Sequence, residues 1–259
     1  MSVTYGSYLK VPQLLSLQEP RSEPAQHDEM LFIVIHQVYE LWFRLLLHEL
    51  ERCKQELSAN DLFGAIARFK RLRTVMKTLV EQLDILETMS PLSFLTFRDH
   101  LEAASGFQSA QFRAMEFTLG HKRKEMLAHY SDPAERAMLE RLLAARTLTD
   151  HFYDFLAARG AAVPAALRSR DVTEPNAASP ELQPELVRLF RGSPEVAILL
   201  ELMTDFDEGL QEWRYRHVKM VERTIGNKAG TGGSSGAEYL RRSFHQPVFP
   251  DLWAIRQQL

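Results

Sequence analysis

Cysteine is almost missing: the 259-residue chain has one, Cys53. A single thiol excludes an intramolecular disulfide framework and every zinc or iron–sulfur site built on several cysteines, and it fits a reducing, cytoplasmic setting. Net charge is scarce too. With 31 Lys and Arg against 34 Asp and Glu the formal charge is -3, so no concentrated basic face points to nucleic acid or an anionic membrane as partner. Residues 1–10 lack the basic stretch and apolar run of a secretory signal. The most apolar stretch, residues 30–47, is interrupted by His36, Gln37, Glu40 and Arg44, which are costly in hydrocarbon, and is expected to be a deeply buried helix of a soluble protein. Chelating motifs are missing as well. There is no His-Glu-x-x-His, Glu-x-x-His or Cys-x-x-Cys-His, which removes zincins, ferritin-like di-iron sites and covalently attached haem.

Strand-like alternation is essentially lacking, and helical periodicity takes its place. From Leu62, apolar residues fall at Ile66, Phe69, Leu72, Met76, Leu79, Leu83 and Leu86, steps of three and four that line one face of a helix about six turns long. Ser90-Pro91 reads as the cap and first residue of a short helix carrying Phe94, Phe97, Arg98 and Leu101. Asp132-Pro133-Ala134-Glu135 opens a helix expected to continue through Leu139, Leu142, Leu143, Phe152 and Phe155 to Gly160. Ser193-Pro194 opens another, through Leu199, Met203, Phe206, Leu210, Trp213 and His217 to Gly226. An all-α helical bundle, one domain over residues 1–259, is the expectation. Residues 160–184, with Pro164, Pro175, Pro180 and Pro184, read as a long connection holding at most short helical turns. Five of the 12 glycines crowd between Gly226 and Gly236.

Several residues stand out against this background. His36 lies four residues after Phe32, and His217 four after Trp213, so each imidazole shares a helix face with an aromatic ring. A neutral histidine so placed is either satisfied within the core or a metal or haem ligand; with multi-ligand motifs excluded, a single-histidine site for noncovalent haem is the metal site that remains. Arg98 either pairs with Asp99 or Glu102 at the surface or offers its planar fork to a carboxylate in an aromatic pocket. Tyr5 and Tyr8 belong to a tail that orders only if something ties it down. The glycine-rich segment is either a linker or an anion-binding nest able to close over a ligand. It is not a nucleotide loop, because the Gly-Lys-Ser/Thr ending is missing and Ser235 stands where a dinucleotide fingerprint needs glycine.

Six segments carry a resemblance: Tyr5-Gly6-Ser7-Tyr8-Leu9, the run from His27-Asp28-Glu29-Met30 through His36-Gln37-Val38-Tyr39-Glu40-Leu41-Trp42-Phe43, Phe97-Arg98-Asp99, Ser105-Gly106-Phe107-Gln108-Ser109, Arg214-Tyr215-Arg216-His217 and Gly230-Thr231-Gly232-Gly233-Ser234-Ser235-Gly236. In order and spacing they resemble the signature segments of the tryptophan 2,3-dioxygenase family. The poorly matching part is residues 122–182. The resemblance implies a haem protein assembled as a homotetramer, with one b-type haem per subunit, ferrous in the active form. His217 would be its axial ligand and metal-binding residue. His36 would be the catalytic-site histidine that hydrogen-bonds the indole N–H, and Phe32 the ring packed on the indole. Arg98 would pair with the substrate carboxylate, while Thr231 would contact the ammonium and carboxylate groups. Leu101, Ser105 and Gly106 match pocket and haem-side positions, and Phe94 stands where some relatives carry tyrosine. Tyr5 and Tyr8 would reach an adjacent subunit, making residues 1–26 an arm, and 226–236 would be a mobile active-site loop. The implied reaction inserts both atoms of O₂ across the indole C2–C3 bond of L-tryptophan, giving N-formylkynurenine, the first step of the kynurenine pathway. A related haem enzyme that monooxygenates tryptophan or a modified tryptophan is the alternative the residues leave open. The implied partners are L-tryptophan, O₂ and further copies of the chain, without nucleic acid or membrane, in the cytoplasm.

Overall fold

The computed structural model describes residues 2–102, 104–226, 228 and 246–259, and among them no strand occurs. The helices are α1 (Tyr5–Leu9), α2 (Val11–Leu14), α3 (His27–Ser58), α4 (Leu62–Leu86), α5 (Pro91–Phe97), α6 (Ala110–Leu119), α7 (Pro133–Ala144), α8 (Leu148–Ala158), α9 (Ala165–Arg168), α10 (Gln183–Gly192), α11 (Pro194–Ile225) and α12 (Pro250–Ala254). The all-α expectation holds.

The three-four register places α4 at the centre. Asp61 caps it by accepting the Gly64 N–H at 2.9 Å, and its buried stripe, Phe69, Leu72, Met76, Leu79 and Leu83, has α3 on one side and α11 on the other. Leu46, Leu50 and Leu57 of α3 and Leu199, Met203, Phe206 and Leu210 of α11 complete the same core. Each fully buried side chain of this size contributes roughly 1.5–3 kcal/mol of transfer free energy. Gly209 lets α11 approach closely, since a Cβ there would sit 3.4 Å from that of Met76. The Tyr39 hydroxyl donates to the Leu79 carbonyl at 2.9 Å, tying α3 to α4 beside the site described below.

The fold departs from the sequence expectation in three places. The helix expected from Pro133 to Gly160 is two helices, α7 and α8, because Thr147 starts a new one: its side chain and that of Asp150 form a reciprocal capping box. Arg98 and Leu101 lie beyond the end of α5, in a 3₁₀ turn, Arg98–Leu101. The third departure is α3. Met30 is 42%, Val34 38% and Leu41 55% exposed, so α3 is not deeply buried: one face packs on α4, α6 and α8 and the other is bare in the single chain. It is long and apolar enough to cross a membrane by length and composition alone, yet Glu29, Glu49 and Glu56 are buried along it.

Between α8 and α10 only α9 is helical, as the prolines predict. This connection is nonetheless pinned, because the Asn176 side chain donates to the Leu119 carbonyl at 2.9 Å and to Thr149 Oγ1 at 2.7 Å. The chain end is held by Asp207 of α11, whose carboxylate accepts the N–H groups of Val248 and Phe249 and the Trp253 indole N–H, each at 3.0 Å. Of the glycine-rich segment, only Gly226 and Lys228 are described; Thr231 lies outside the described residues.

Candidate active site

A cavity of about 260 Å³ opens between α3, α5, α6 and α11. The eleven residues expected from sequence to form a site bear on it as follows. Phe32, His36, Phe94, Arg98, Leu101, Ser105, Gly106 and His217 all line it. Thr231 cannot be placed. Tyr5 and Tyr8 do not line the cavity of their own chain; they are 79% and 76% exposed on α1, a helix started by a Thr4–Ser7 capping box.

The two histidines enter from different helices. On α3 the i, i+4 spacing stacks His36 against Phe32, ring centroids 4.1 Å apart and planes at 37°. His36 Nδ1 lies 2.7 Å from the Phe32 carbonyl. A carbonyl oxygen only accepts, so Nδ1 carries the proton and, in the neutral ring, Nε2 keeps a lone pair. Burial holds the His36 pKa below its usual value, against the opposing influences of that carbonyl and Glu40. Glu40 is itself fixed by Gln111, whose amide donates to its carboxylate and its main-chain carbonyl, both at 2.9 Å.

On α11 the same spacing lays His217 against Trp213, whose indole also meets Phe112, ring centroids 5.0 Å apart. Burial, helped by the nearby His36 imidazole, pushes the His217 pKa down to about 4. Both rings are therefore uncharged at neutral pH. Among the described residues no cluster of three His, Cys, Asp or Glu side chains could chelate a bare ion; His217 offers one unprotonated nitrogen from the aromatic wall of α11, and His36 Nε2 is a second lining the same cavity from α3.

Arg98 is placed by local caps. Ser90 accepts the Ser93 N–H at 3.0 Å and Pro91 opens α5, whose Phe94 and Phe97 pack edge to face at 5.4 Å. Phe32 reaches both, at 5.8 Å and 5.6 Å, so Arg98 stands at the edge of a three-ring cluster shared with the α3 histidine. Past it, Ser105 caps the 3₁₀ turn Gly106–Gln108 with a capping box, and Ser109 caps α6. These two serines turn the chain along the cavity wall.

A family model described as tryptophan 2,3-dioxygenase matches residues 1–165 and 185–259. Over 258 residues the chain is 53% identical to a tryptophan 2,3-dioxygenase of Herpetosiphon aurantiacus, covering 100% of this chain and 99% of that protein. It is 50% identical over 264 residues to one from Anaeromyxobacter sp. strain K, covering 100% and 97%, and 43% identical over 265 residues to one from Saccharopolyspora erythraea, covering 99% and 93%. The chain belongs to the tryptophan 2,3-dioxygenase family. The unmatched residues 166–184 of this tryptophan 2,3-dioxygenase family member fall within the proline-rich connection, away from the cavity.

Sequence reasoning missed part of the cavity wall. Glu116, Arg113, Arg123 and Arg214 line it as an ion-paired cluster. Arg214 lay within a motif shared with the family, but nothing in the pattern of α6 marks Glu116, which sits among Met115, Phe117 and Thr118 as any surface residue would.

Proposed function

We propose that this chain is a haem-dependent tryptophan 2,3-dioxygenase, converting L-tryptophan and O₂ to N-formylkynurenine as the first step of tryptophan breakdown by the kynurenine pathway. The observation that carries the reading is the pair of uncharged imidazoles, His36 and His217, lining one aromatic cavity together with Arg98. The residues fit a haem. His217 offers an unprotonated nitrogen, and Trp213, Phe112 and Phe43 offer the apolar wall a porphyrin needs. Bound there in the ferrous state, haem b supplies O₂ activation.

The chain's own share is binding and orientation. Arg98 takes the substrate carboxylate, the one fixed anion of the amino acid, through its planar fork. Phe32 packs on the indole, and His36 Nε2 accepts the indole N–H while Nδ1 keeps its proton on the Phe32 carbonyl. His36 therefore orients the ring rather than deprotonating it. Phe94 and Leu101 close the pocket beside Arg98, and Ser105 and Gly106 form the wall on the haem side. Thr231 contacts the amino-acid end of the substrate. Holding the indole in one pose converts an encounter into an oriented reaction, an effect worth several kcal/mol.

The assembly is a cytoplasmic homotetramer in which residues 1–26 form an arm that lies on a neighbour and brings Tyr5 and Tyr8 to its site. The exposed Tyr5, Tyr8, Met30, Val34 and Leu41 support this, since a bare apolar face of that kind calls for a partner. The test is turnover of L-tryptophan by the anaerobically reduced protein under isotopically labelled O₂. N-formylkynurenine with two labelled oxygens is expected. A product carrying a single label would replace this reading with a monooxygenase.

A further inference from the structure

Glu29 is a buried carboxylate that the cavity does not use. It lies on α3 three residues before Phe32 and seven before His36, a spacing that puts all three on one face of the helix, yet it does not line the cavity and is only 2% exposed. Its partners come from the chain leading into α3. One oxygen accepts the Arg21 N–H at 2.7 Å; the other accepts the Ser22 N–H at 3.0 Å and the Ser22 hydroxyl, whose oxygen in turn accepts the Gln26 N–H at 2.9 Å. Burial alone would raise the Glu29 pKa, but these bonds and the nearby His100 hold it below its usual value. At neutral pH the group is an anion committed to residues 21 and 22.

Gln37, eight residues further along α3, is a second tether. Its Nε2 donates to the Leu17 carbonyl at 2.9 Å and its Oε1 accepts from Gln18 Nε2 at 2.6 Å, while the same Gln18 amide reaches back to the Leu14 carbonyl at 3.0 Å. Residues 17–26 therefore run back along α3 as a strap, antiparallel to it, over about 12 Å. Gln37 shares a helix face with Met30, Val34 and Leu41, so this tether sits on the bare side of α3. The strap thus crosses from the pocket stripe at Glu29 to the bare face at Gln37. Beyond it, α1 and α2 bury no residue, so the course of the arm is set at its root.

We propose that Glu29 and Gln37 are positioning residues for catalysis in the adjacent subunit: together they fix the strap across α3 and so aim the arm that carries Tyr5 and Tyr8. Neither side chain touches substrate. This rests on the shared-arm assembly proposed above and adds which residues of one subunit set the geometry of its neighbour's site. The defect of a tether variant should therefore appear in trans. An effect of Glu29 exerted within its own subunit would pass through the Arg98 turn, where His100 stands, and would appear in cis.

Glu29→Gln sets an amide N–H2 against main-chain N–H groups, and Gln37→Ala removes both of its bonds to the strap. As homo-oligomers these haem-loaded variants should raise the KM for L-tryptophan about tenfold and about threefold, the scales of a charge-assisted and a neutral hydrogen bond, with kcat, haem content and urea midpoint close to wild type. A merely structural role would instead lower haem content and the urea midpoint in both, and would overturn the proposal. Mixed assemblies then show where the defect acts. Differently tagged chains are co-expressed so that each live site is surrounded by an excess of chains disabled by His217→Ala or, with haem retained, by Arg98→Ala. Live Glu29→Gln sites among disabled chains with intact tethers should recover the wild-type KM, and live wild-type sites among disabled chains that also carry Glu29→Gln should acquire the raised one. A KM that follows residue 29 of the live chain itself would sink the proposal, as would variants with unchanged KM. Deleting residues 1–16 separates the two readings. A raised KM in the deleted protein beside a normal KM in the variants overturns the tether assignment alone, whereas a deleted protein as active as wild type overturns the shared arm and the tethers with it.

Discussion

The His217 imidazole lies flat against the Trp213 indole, ring centroids 5.2 Å apart and planes 10° from parallel. Trp213 is in turn held by edge contacts to Tyr39 and Phe43, at 6.1 Å and 6.2 Å, so the orientation of the imidazole is set by a packed aromatic stack. Among the described residues no hydrogen bond reaches the His217 ring. Its direction is thus a packing property of α11 and α3.

His217→Ala removes the one nitrogen donor that this wall offers while emptying only part of a cavity that is already open. The variant should fold with wild-type helicity and lose stable haem binding. Haem stoichiometry and the ferrous spectrum after gel filtration check this; a full haem complement with an unchanged spectrum would mean the axial ligand lies elsewhere.

Acid should act through the same residue. Its folded pKa, about 4, is below the usual 6.5, so the unfolded chain takes up the proton more readily, and the stability held by the neutral ring is present above pH 6.5 and lost as pH falls through 4. The haem-free wild type should therefore lose more of its urea midpoint between pH 7 and pH 4 than His217→Phe does. Glu116, held down at about 2 against an ordinary 4.5 although burial alone would raise it, has the same sign but a lower window, beginning near pH 4.5. Parallel pH profiles for wild type and variant would show that His217 protonation is not linked to folding.

Much of this was legible in the sequence because it is local. Phe32–His36 and Trp213–His217 are i, i+4 pairs, and the contacts they predict are present. The core stripe of α4 follows from its spacing alone. The break between α7 and α8 was missed since residues 145–147 contain neither glycine nor proline; the signal was Thr147 with Asp150 three residues on, a capping box read as helix interior. The charge cluster was not legible at all. Its members at 113, 116, 123 and 214 are brought together by the packing of α6 on the core and by the turn after it, and a buried ion pair leaves no periodic trace.

Gly120→Ala tests that turn. Gly120 ends α6 at φ 99°, in the left-handed region, with the Asn176 amide packed where a Cβ would go. The added methyl meets both an unfavourable backbone conformation and a side chain whose hydrogen bonds pin the 160–184 connection. A loss of about 1–3 kcal/mol in unfolding free energy is expected by analogy with other left-handed positions. A urea midpoint within error of wild type would show that Asn176 moves aside freely.

His36→Ala should keep haem and measurable turnover. The imidazole contributes one hydrogen bond to the indole N–H, worth roughly 0.5–1.5 kcal/mol net, which corresponds to a rise in substrate dissociation constant of about two- to tenfold. Since Nδ1 already gives its proton to the Phe32 carbonyl, N-methylation of the indole should cost wild type more than it costs the variant. Complete inactivity with normal haem and normal substrate affinity would make His36 an obligatory proton carrier instead.

The specificity prediction rests on Arg98. Its side chain is half-buried at the cavity wall beside Phe94 and Leu101, so water reaches it before substrate does and the penalty for losing its partner is that of a charge-assisted hydrogen bond rather than of a fully desolvated pair. That is roughly 1.5–3 kcal/mol, or about ten- to 150-fold in catalytic efficiency at 1.4 kcal/mol per decade. Tryptamine, which lacks the carboxylate, should be a worse substrate than L-tryptophan by that factor. Arg98→Ala should impair L-tryptophan by a similar factor yet add little to the deficit of tryptamine, because both changes delete the same interaction and cannot be additive. The measurement is kcat/KM for both compounds in both proteins, with haem content matched. If Arg98→Ala lowers the two equally, the arginine acts on the fold or the cofactor, and the carboxylate of the substrate must find its cation among Arg113, Arg123 and Arg214.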